Sequence, residues 1–401
     1  MKFIVLLGDG MADYSIPELN NKTPLQEAKT PNMDFIAKNG VTGSVNPIPD
    51  GYEPGSDVAN LSILGYDPEK YYTGRAPLEA ASIGVDLFPE DIAFRCNLVT
   101  LGLKGLDFVM EDHSAGHIST EDASLLISNI GKELNTKDII FHHGVSYRHL
   151  MVWKNGRDSL DLTPPHDILG QKIVDFLPKG EGSKELIRLM NDSQIILNNH
   201  EINKKREEKG LNPANSIWLW GQGKVPHLVS FEEKYHVSGA IISAVDLIKG
   251  MGLYAGLKVI DVPGATGYFD TNYEGKAQYA IEALKERDFV YLHVEAPDEA
   301  GHAGNVEMKV KAIEDFDSRV VGRIVKDMKQ FGDYKILLLP DHATPISLRT
   351  HTGGAVPFAI LSNSSVPDQG EEYNERLIEK GSLKFAKGHQ LMDYFITEKL
   401  Q

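Results

Sequence analysis

The chain opens on Lys2-Phe-Ile-Val-Leu-Leu-Gly8, a continuous apolar run closed by glycine. A run without polar alternation predicts a strand buried on both faces, as in a parallel sheet, and this one delivers Asp9 at its carboxyl end. Thr30-Pro31-Asn32-Met33-Asp34-Phe35-Ile36-Ala37, with Gly40 just beyond, predicts a short helix with Thr30 as N-cap and Pro31 at the first helical position. Toward the other end, residues 253–262 contain a strand candidate, while 277–285 predict a helix and 288–295 another buried strand. Apolar positions at Phe316, Val320, Val321, Ile324, Val325 and Met328 predict a helix over 315–330, and 335–339 again reads as strand. Strands alternating with helices at both ends predict one α/β domain with a mostly parallel sheet flanked by helices.

The middle has a different pattern. Short strand candidates at 94–101, 108–111, 149–153 and 216–220 surround a polar-faced helical stretch at 183–209, which is α+β in character. The expected organisation is a discontinuous domain of residues 1–90 and 240–401, interrupted by an inserted domain of residues 91–239. Gly210-Leu-Asn-Pro-Ala-Asn215 and Val262-Pro-Gly-Ala-Thr-Gly267 read as turns.

Composition narrows the function classes. The 401 residues carry 41 Lys+Arg against 57 Asp+Glu, a net charge of −16, which argues against nucleic acid or an anionic membrane as partner. An anionic substrate therefore requires local cations. The single cysteine, Cys96, excludes an internal disulfide and multi-cysteine metal sites, and it sits mid-strand in the pattern as a small buried residue. The apolar stretch at 3–7 is too short for a signal-peptide core and no run reaches a membrane-spanning length, so the cytoplasm is the expected location.

Three apolar runs end in metal-ligand residue types: Leu7-Gly8-Asp9-Gly10, Val294-Glu295-Ala296-Pro297-Asp298 continuing to His302, and Leu339-Pro340-Asp341-His342. Ligands of an open parallel sheet bind beyond the carboxyl ends of its strands, so three such ends can share one site. Asp298 and His302 are four apart and face one side of any helical turn; His351 lies close enough in sequence to fold back. Carboxylates and imidazoles without thiolate suit Mn²⁺, Zn²⁺ or Co²⁺ better than an all-oxygen Ca²⁺ site. So many ligands exceed what one tetrahedral ion needs, whereas two ions would use them to clamp a transferring phosphoryl group. Ser56, in Gly55-Ser56-Asp57, precedes a helical pattern from Val58, which places its hydroxyl at the positive end of a helix. A metal-bound serine there becomes a nucleophile, and no other strong nucleophile candidate stands out; an N-cap serine is the structural alternative.

Asp9-Gly10, Thr30-Pro31-Asn32-Met33-Asp34, Gly55-Ser56-Asp57, Pro297-Asp298-Glu299-Ala300-Gly301-His302, Pro340-Asp341-His342 and Thr350-His351-Thr352 resemble, in order and spacing, the alkaline phosphatase superfamily. Within it the chain is similar to the archaeal-type 2,3-bisphosphoglycerate-independent phosphoglycerate mutases over nearly its whole length, including Tyr72-Thr-Gly-Arg-Ala-Pro-Leu-Glu79 and Ile217-Trp-Leu-Trp-Gly-Gln-Gly223. The resemblance implies an alkaline-phosphatase-like core and two divalent ions, manganese first, with zinc, cobalt and magnesium as alternatives. It implies that one ion takes Asp9, Ser56, Asp341 and His342, and the other Asp298, His302 and His351. It also implies that phosphate passes from 3-phosphoglycerate to Ser56 and back to the other hydroxyl of the retained glycerate.

Asp57, beside the nucleophile, either assists proton movement or caps the helix. The inserted domain is the expected substrate-binding lid, and the candidate substrate cations are Arg75, Arg95, Arg148, His149, Lys224 and Lys249, with Arg148 foremost. His117, four residues after His113, is a candidate substrate contact; Gly116 between them weakens a helical metal pair. The rival functions are a related phosphotransferase of the ATP-dependent homoserine kinase type, a phosphomonoesterase, and a non-catalytic metal-binding protein. No Gly-Lys pair is followed by Ser or Thr, so no P-loop supports a nucleotide, and Gly250-Met-Gly252 after a helical pattern reads as a helix C-terminal turn.

Overall fold

The amino-terminal apolar run forms the strand Lys2–Gly8, and its hydrogen-bonded neighbours on either side, Phe289–Val294 and Tyr334–Leu339, are both parallel to it. In the computed structural model, which describes residues 1–363, 366–368, 370 and 372–398, these three strands are the centre of an eight-stranded sheet. Its order is Lys258–Val259, Gly239–Ile242, Phe289–Val294, Lys2–Gly8, Tyr334–Leu339, Val356–Ser362, Val41–Val45, Leu383–Phe385. Val356–Ser362 alone runs against the rest. The central strands are buried almost throughout, as continuous apolar runs require. Ile4, Leu6, Val290, Leu292, Ile336 and Leu338 join one core with Met33, Ala277 and Phe316 from the covering helices. Phe3 points the other way, with its ring 5.6 Å from that of Phe395 on the helix His389–Thr397. Helices therefore cover both faces.

The chain divides into two compact units, Met1–Tyr72 with His227–Gln401, and Thr73–Pro226. These borders differ from 90/91 and 239/240, and packing explains both shifts. Helix Arg75–Ser82 buries Ala76 and Ala80 against Ala93 and Leu150 of the second unit. Helix Phe231–Tyr235 stacks Phe231 on Phe289 at 4.4 Å between ring centres, and Tyr235 donates a 2.6 Å hydrogen bond to Asp393, both in the first unit. The second unit is α+β: Asp107–Asp112, Ile92–Lys104, Arg148–Trp153 and Ile139–Val145 form an antiparallel sheet in that order, with Ser216–Gly223 also paired to Ile92–Lys104. Helices Thr120–Leu134 and Ser183–Asn198 pack on the face that carries Phe94, Cys96 and Met151. Among the described residues no helix is long and apolar enough to cross a membrane.

The strand candidate within 253–262 is the short strand Lys258–Val259, which follows helix Asp246–Tyr254 after a turn at Gly256, φ +70°. The helix Pro31–Asn39 has Thr30 at its N-cap position, but the Thr30 side chain makes no cap bond. Asp317 does that work from far along the chain, accepting from the backbone N–H groups of Asn32 and Met33 at 3.1 and 2.7 Å. The helical stretch predicted over 315–330 is continuous with Val306–Asp315 and passes through a π-helical turn, Phe316–Val321, which carries Asp317.

Candidate metal centre

Three adjacent parallel strands deliver the acidic and imidazole side chains to one end of the sheet. Asp9 follows Lys2–Gly8, Asp341 and His342 follow Tyr334–Leu339, and Asp298 lies in the helix Ala296–Ala303 directly after Phe289–Val294. Asp9, Asp298, Asp341 and His342 are all buried. The tight turn after Asp9 needs glycine: Gly10 has φ +57°, and a Cβ there would collide with Asp298 Oδ1 and Thr344 Oγ1. That turn lets the Gly10 N–H donate to Asp341 Oδ1 at 3.1 Å.

Ser56 is the first residue of the helix Ser56–Ile63, with Gly55 as N-cap, so its hydroxyl is free of a capping role. Its Oγ lies 3.0 Å from His342 Nε2, and the same nitrogen is 3.5 Å from Asp9 Oδ1 and 3.4 Å from Asp341 Oδ2. Beside this group, His302 Nε2 lies 3.2 Å from Asp298 Oδ2 and 2.9 Å from His351 Nε2, and His351 Nε2 lies 3.5 Å from Asp298 Oδ1. The first unit thus brings Asp9, Ser56, Asp341 and His342 together, with Asp298, His302 and His351 in a second cluster. The clusters abut, since donor atoms of Asp298, His342 and His351 also lie within 4.8 Å of one another.

The electrostatics fit divalent cations. Burial, with the neighbouring Asp341, Asp298 and Glu295 charges, raises Asp9 well above the usual carboxylate range. Asp9 Oδ1 is buried with no hydrogen-bond partner among the described residues. Burial would raise Asp298 too, but His351 and His302 hold it well below its ordinary value. His302 is driven down by burial and up by Asp298, ending at about 9, while burial pushes His342 down to about 4. The His302 Nδ1–H donates to the Arg349 carbonyl at 3.0 Å, so in the neutral ring Nε2 presents its lone pair to Asp298 and His351. Buried carboxylates and converging nitrogen lone pairs need shared positive charge, which protons or metal ions can supply.

Sequence reasoning missed the residues that hold these candidate ligands in place. Asn60 donates to Asp341 Oδ2 at 2.7 Å and is itself fixed by the Tyr291 hydroxyl at 2.6 Å. Thr344 donates to Asp298 Oδ1. Buried Lys309 donates to the carbonyls of Ala12 and Thr344 at 3.2 and 2.8 Å and to Asp13 at 2.7 Å, tying two ligand loops together. His293 reaches Asp9 from within a buried strand. The available signal was a polar side chain inside an otherwise apolar run, which demands a partner.

Asp57 is committed on both oxygens: Oδ1 accepts from Val58 N–H at 2.9 Å and Oδ2 from the Tyr72 hydroxyl at 2.5 Å. In the second unit, Glu79 receives Arg75 Nε at 3.0 Å and lies 2.9 Å from Arg95 Nε, so Glu79 is the anionic partner that buried Arg95 requires. Burial lowers Arg95 to about 10, and its guanidinium lies 4.4 Å from the Trp220 ring centre. Arg148 is exposed, 5.5 Å from the ring centre of Tyr147, and His117 is exposed on a turn organised by Asp112. The other three candidate cations also have partners. His149 turns onto the core face shared with Cys96 and Met151, is buried, and accepts the Gly144 N–H. Lys224 lies 3.1 Å from Glu90, and Lys249 lies 2.7 Å from Asp261.

A family model described as 2,3-bisphosphoglycerate-independent phosphoglycerate mutase matches residues 37–203. A protein of Geobacter sulfurreducens named probable 2,3-bisphosphoglycerate-independent phosphoglycerate mutase is 56% identical over 397 residues, covering 99% of this chain and 100% of its own. The Methanosarcina acetivorans protein of that name is 53% identical over 99% of this chain and 100% of its own. Among solved structures, the PH0037 protein of Pyrococcus horikoshii superposes with a TM-score of 0.82 at 31% identity, over 98% of this chain and 96% of that one. The cofactor-independent phosphoglycerate mutase of Thermoplasma acidophilum gives 0.65 at 28% identity, over 99% and 100%. With relatives this similar matched from end to end, the chain belongs to the 2,3-bisphosphoglycerate-independent phosphoglycerate mutase family.

Proposed function

We propose that the protein interconverts 3-phosphoglycerate and 2-phosphoglycerate through a phosphoserine at Ser56, with two divalent metal ions, manganese foremost. The observation that carries this reading is the convergence of Ser56, Asp9 and Asp341 on His342, beside Asp298, His302 and His351. Asp9, Ser56, Asp341 and His342 would hold one ion; Asp298, His302 and His351 would hold the other. When bound, the ions supply positive charge that favours ionisation of the serine hydroxyl and stabilises the spread charge of a loose phosphoryl transition state.

The remaining work falls to the chain. The bond from Ser56 Oγ to phosphorus forms as the bond from phosphorus to the substrate's C3 oxygen breaks, and the serine proton is balanced by one taken up at that oxygen. The glycerate turns, its C2 hydroxyl oxygen takes the phosphoryl group, and Ser56 regains a proton. Ser56 is the first residue of helix Ser56–Ile63, so the positive end of that helix favours the developing anion. Asp57, gripped by Tyr72, fixes that turn. Arg75, Arg95, His117, Arg148 and Lys224 are the substrate-binding candidates of the Thr73–Pro226 unit, which we assign as the domain that holds glycerate and excludes water, and Lys249 is a further candidate on the other unit.

The names carried by the relatives support a mutase over a nucleotide-dependent kinase or a phosphomonoesterase. Mass spectrometry of protein quenched during turnover of 3-phosphoglycerate tests the intermediate. Phosphate on the peptide containing Ser56 is the expected result; turnover with that peptide unmodified at every quench time contradicts it.

A further inference from the structure

His293 is the penultimate residue of the strand Phe289–Val294, fully buried and opposite Leu7 in the register. Its Nε2 is 2.9 Å from Asp9 Oδ2 and its Nδ1 is 3.2 Å from Ser243 Oγ, just beyond the end of the neighbouring strand Gly239–Ile242. One bond of this chain has a set direction. Val245 N–H, 3.0 Å from Ser243 Oγ, can only donate, so that oxygen accepts there and has its own hydrogen available for His293 Nδ1. A ring that accepts at Nδ1 carries its hydrogen on Nε2 and donates to the Asp9 carboxylate.

Asp9 is left asymmetric. Oδ2 is occupied by His293, while Oδ1, buried and with no hydrogen-bond partner among the described residues, lies on the side of His342 Nε2. Donor atoms of Asp9, His293 and Asp341 lie within 4.8 Å of one another, so proximity alone would also allow His293 as a metal ligand. In the arrangement with the hydrogen on Nε2, ligation would require His293 to give up that hydrogen and leave Asp9 Oδ2 without a donor.

We infer that His293, oriented by Ser243, is a positioning residue that holds Asp9 through Oδ2 and presents only Oδ1 to a divalent cation. This inference rests on the metal reading above and adds to it a support for Asp9 from the neighbouring strand Phe289–Val294. Outer-shell partners of this kind commonly contribute about 10–100-fold in metal affinity.

The test is calorimetric titration of Mn²⁺ into metal-stripped protein for the wild type, His293→Ala, His293→Gln and Ser243→Ala, each checked by near-ultraviolet circular dichroism. We expect His293→Ala to weaken the tighter step about 10–100-fold. His293→Gln, whose amide N–H₂ can take the place of Nε2–H, should recover most of that loss, and Ser243→Ala should lose affinity several-fold. A glutamine variant as weak as the alanine variant would mean that the imidazole is itself a ligand, and would overturn the inference. Wild-type affinity in His293→Ala would overturn it as well. Should His293→Ala not fold, Ser243→Ala decides, since unchanged affinity there removes the orienting chain. A wild type that binds no Mn²⁺ overturns the metal reading itself, an outcome distinct from equal binding by wild type and variants.

Discussion

Ser56 Oγ stands 3.0 Å from His342 Nε2, the nitrogen on which Asp9 and Asp341 also converge. The proposed nucleophile and the acidic candidate ligands therefore share one focus. Replacing Ser56 by alanine removes one donor oxygen and leaves the other six side chains in place. Ser56→Ala should retain bound Mn²⁺, measured by metal analysis after gel filtration, and lose turnover by at least about 10³-fold. Turnover at the wild-type rate would remove Ser56 from the mechanism.

A second prediction concerns pH. Burial alone would lower His302, but Asp298 beside it raises it to about 9 from 6.5. The folded metal-free protein therefore binds one more proton than the unfolded chain between those values. Its contribution to stability is full below about 6.5 and is lost as pH rises through about 9. A metal ion must displace that proton, so Mn²⁺ affinity should climb between pH 6.5 and 8.5, approaching about tenfold per unit for one displaced proton. Titrations in buffers of different ionisation enthalpy measure the released proton directly. A pH-independent affinity with no proton release would contradict the assignment.

The central sheet was readable because strands buried on both faces are uninterrupted apolar runs, as in Phe-Ile-Val-Leu-Leu and Lys335-Ile-Leu-Leu-Leu339. Val41–Val45, with Thr42, Gly43 and Ser44 at its centre, and Val356–Ser362, with Pro357 inside it, carry residues that local preference places in turns or at edges. Their strand state comes from pairing with each other and with Tyr334–Leu339, which is tertiary information. The convergence of the candidate ligands was legible for a related reason: a parallel sheet sends its strand ends to one rim, so Asp9, Asp298 and Asp341 can be brought together from sequence order alone. The supporting residues were not, because Tyr291, His293 and Lys309 are defined by contacts across strands and loops rather than by any spacing along the chain.

Gly10 offers a backbone test of the same site. Its positive φ and the absence of a Cβ let the loop pass against Asp298 and Thr344. Gly10→Ala should cost roughly 1–3 kcal/mol from strain and contact together and weaken Mn²⁺ binding, both read by thermal melts with and without metal. A variant with wild-type melting in both conditions would show that the turn is not constrained.

Lys309 and Asp13 form a fully buried ion pair at 2.7 Å. Lys309→Met leaves the Asp13 charge without its partner, so urea unfolding should show a loss of about 3–5 kcal/mol, the usual consequence of breaking one side of a buried pair. Adding Asp13→Asn should recover part of it. If the double variant is no more stable than Lys309→Met alone, the carbonyls of Ala12 and Thr344, rather than Asp13, carry the lysine's contribution.

The most direct measurement is ³¹P NMR of the Mn²⁺-loaded protein incubated with 3-phosphoglycerate, without 2,3-bisphosphoglycerate and without nucleotide. The account predicts a growing 2-phosphoglycerate signal that vanishes with EDTA and returns when Mn²⁺ is restored. An unchanged substrate signal from protein with both ions bound, or release of inorganic phosphate in place of 2-phosphoglycerate, would contradict it.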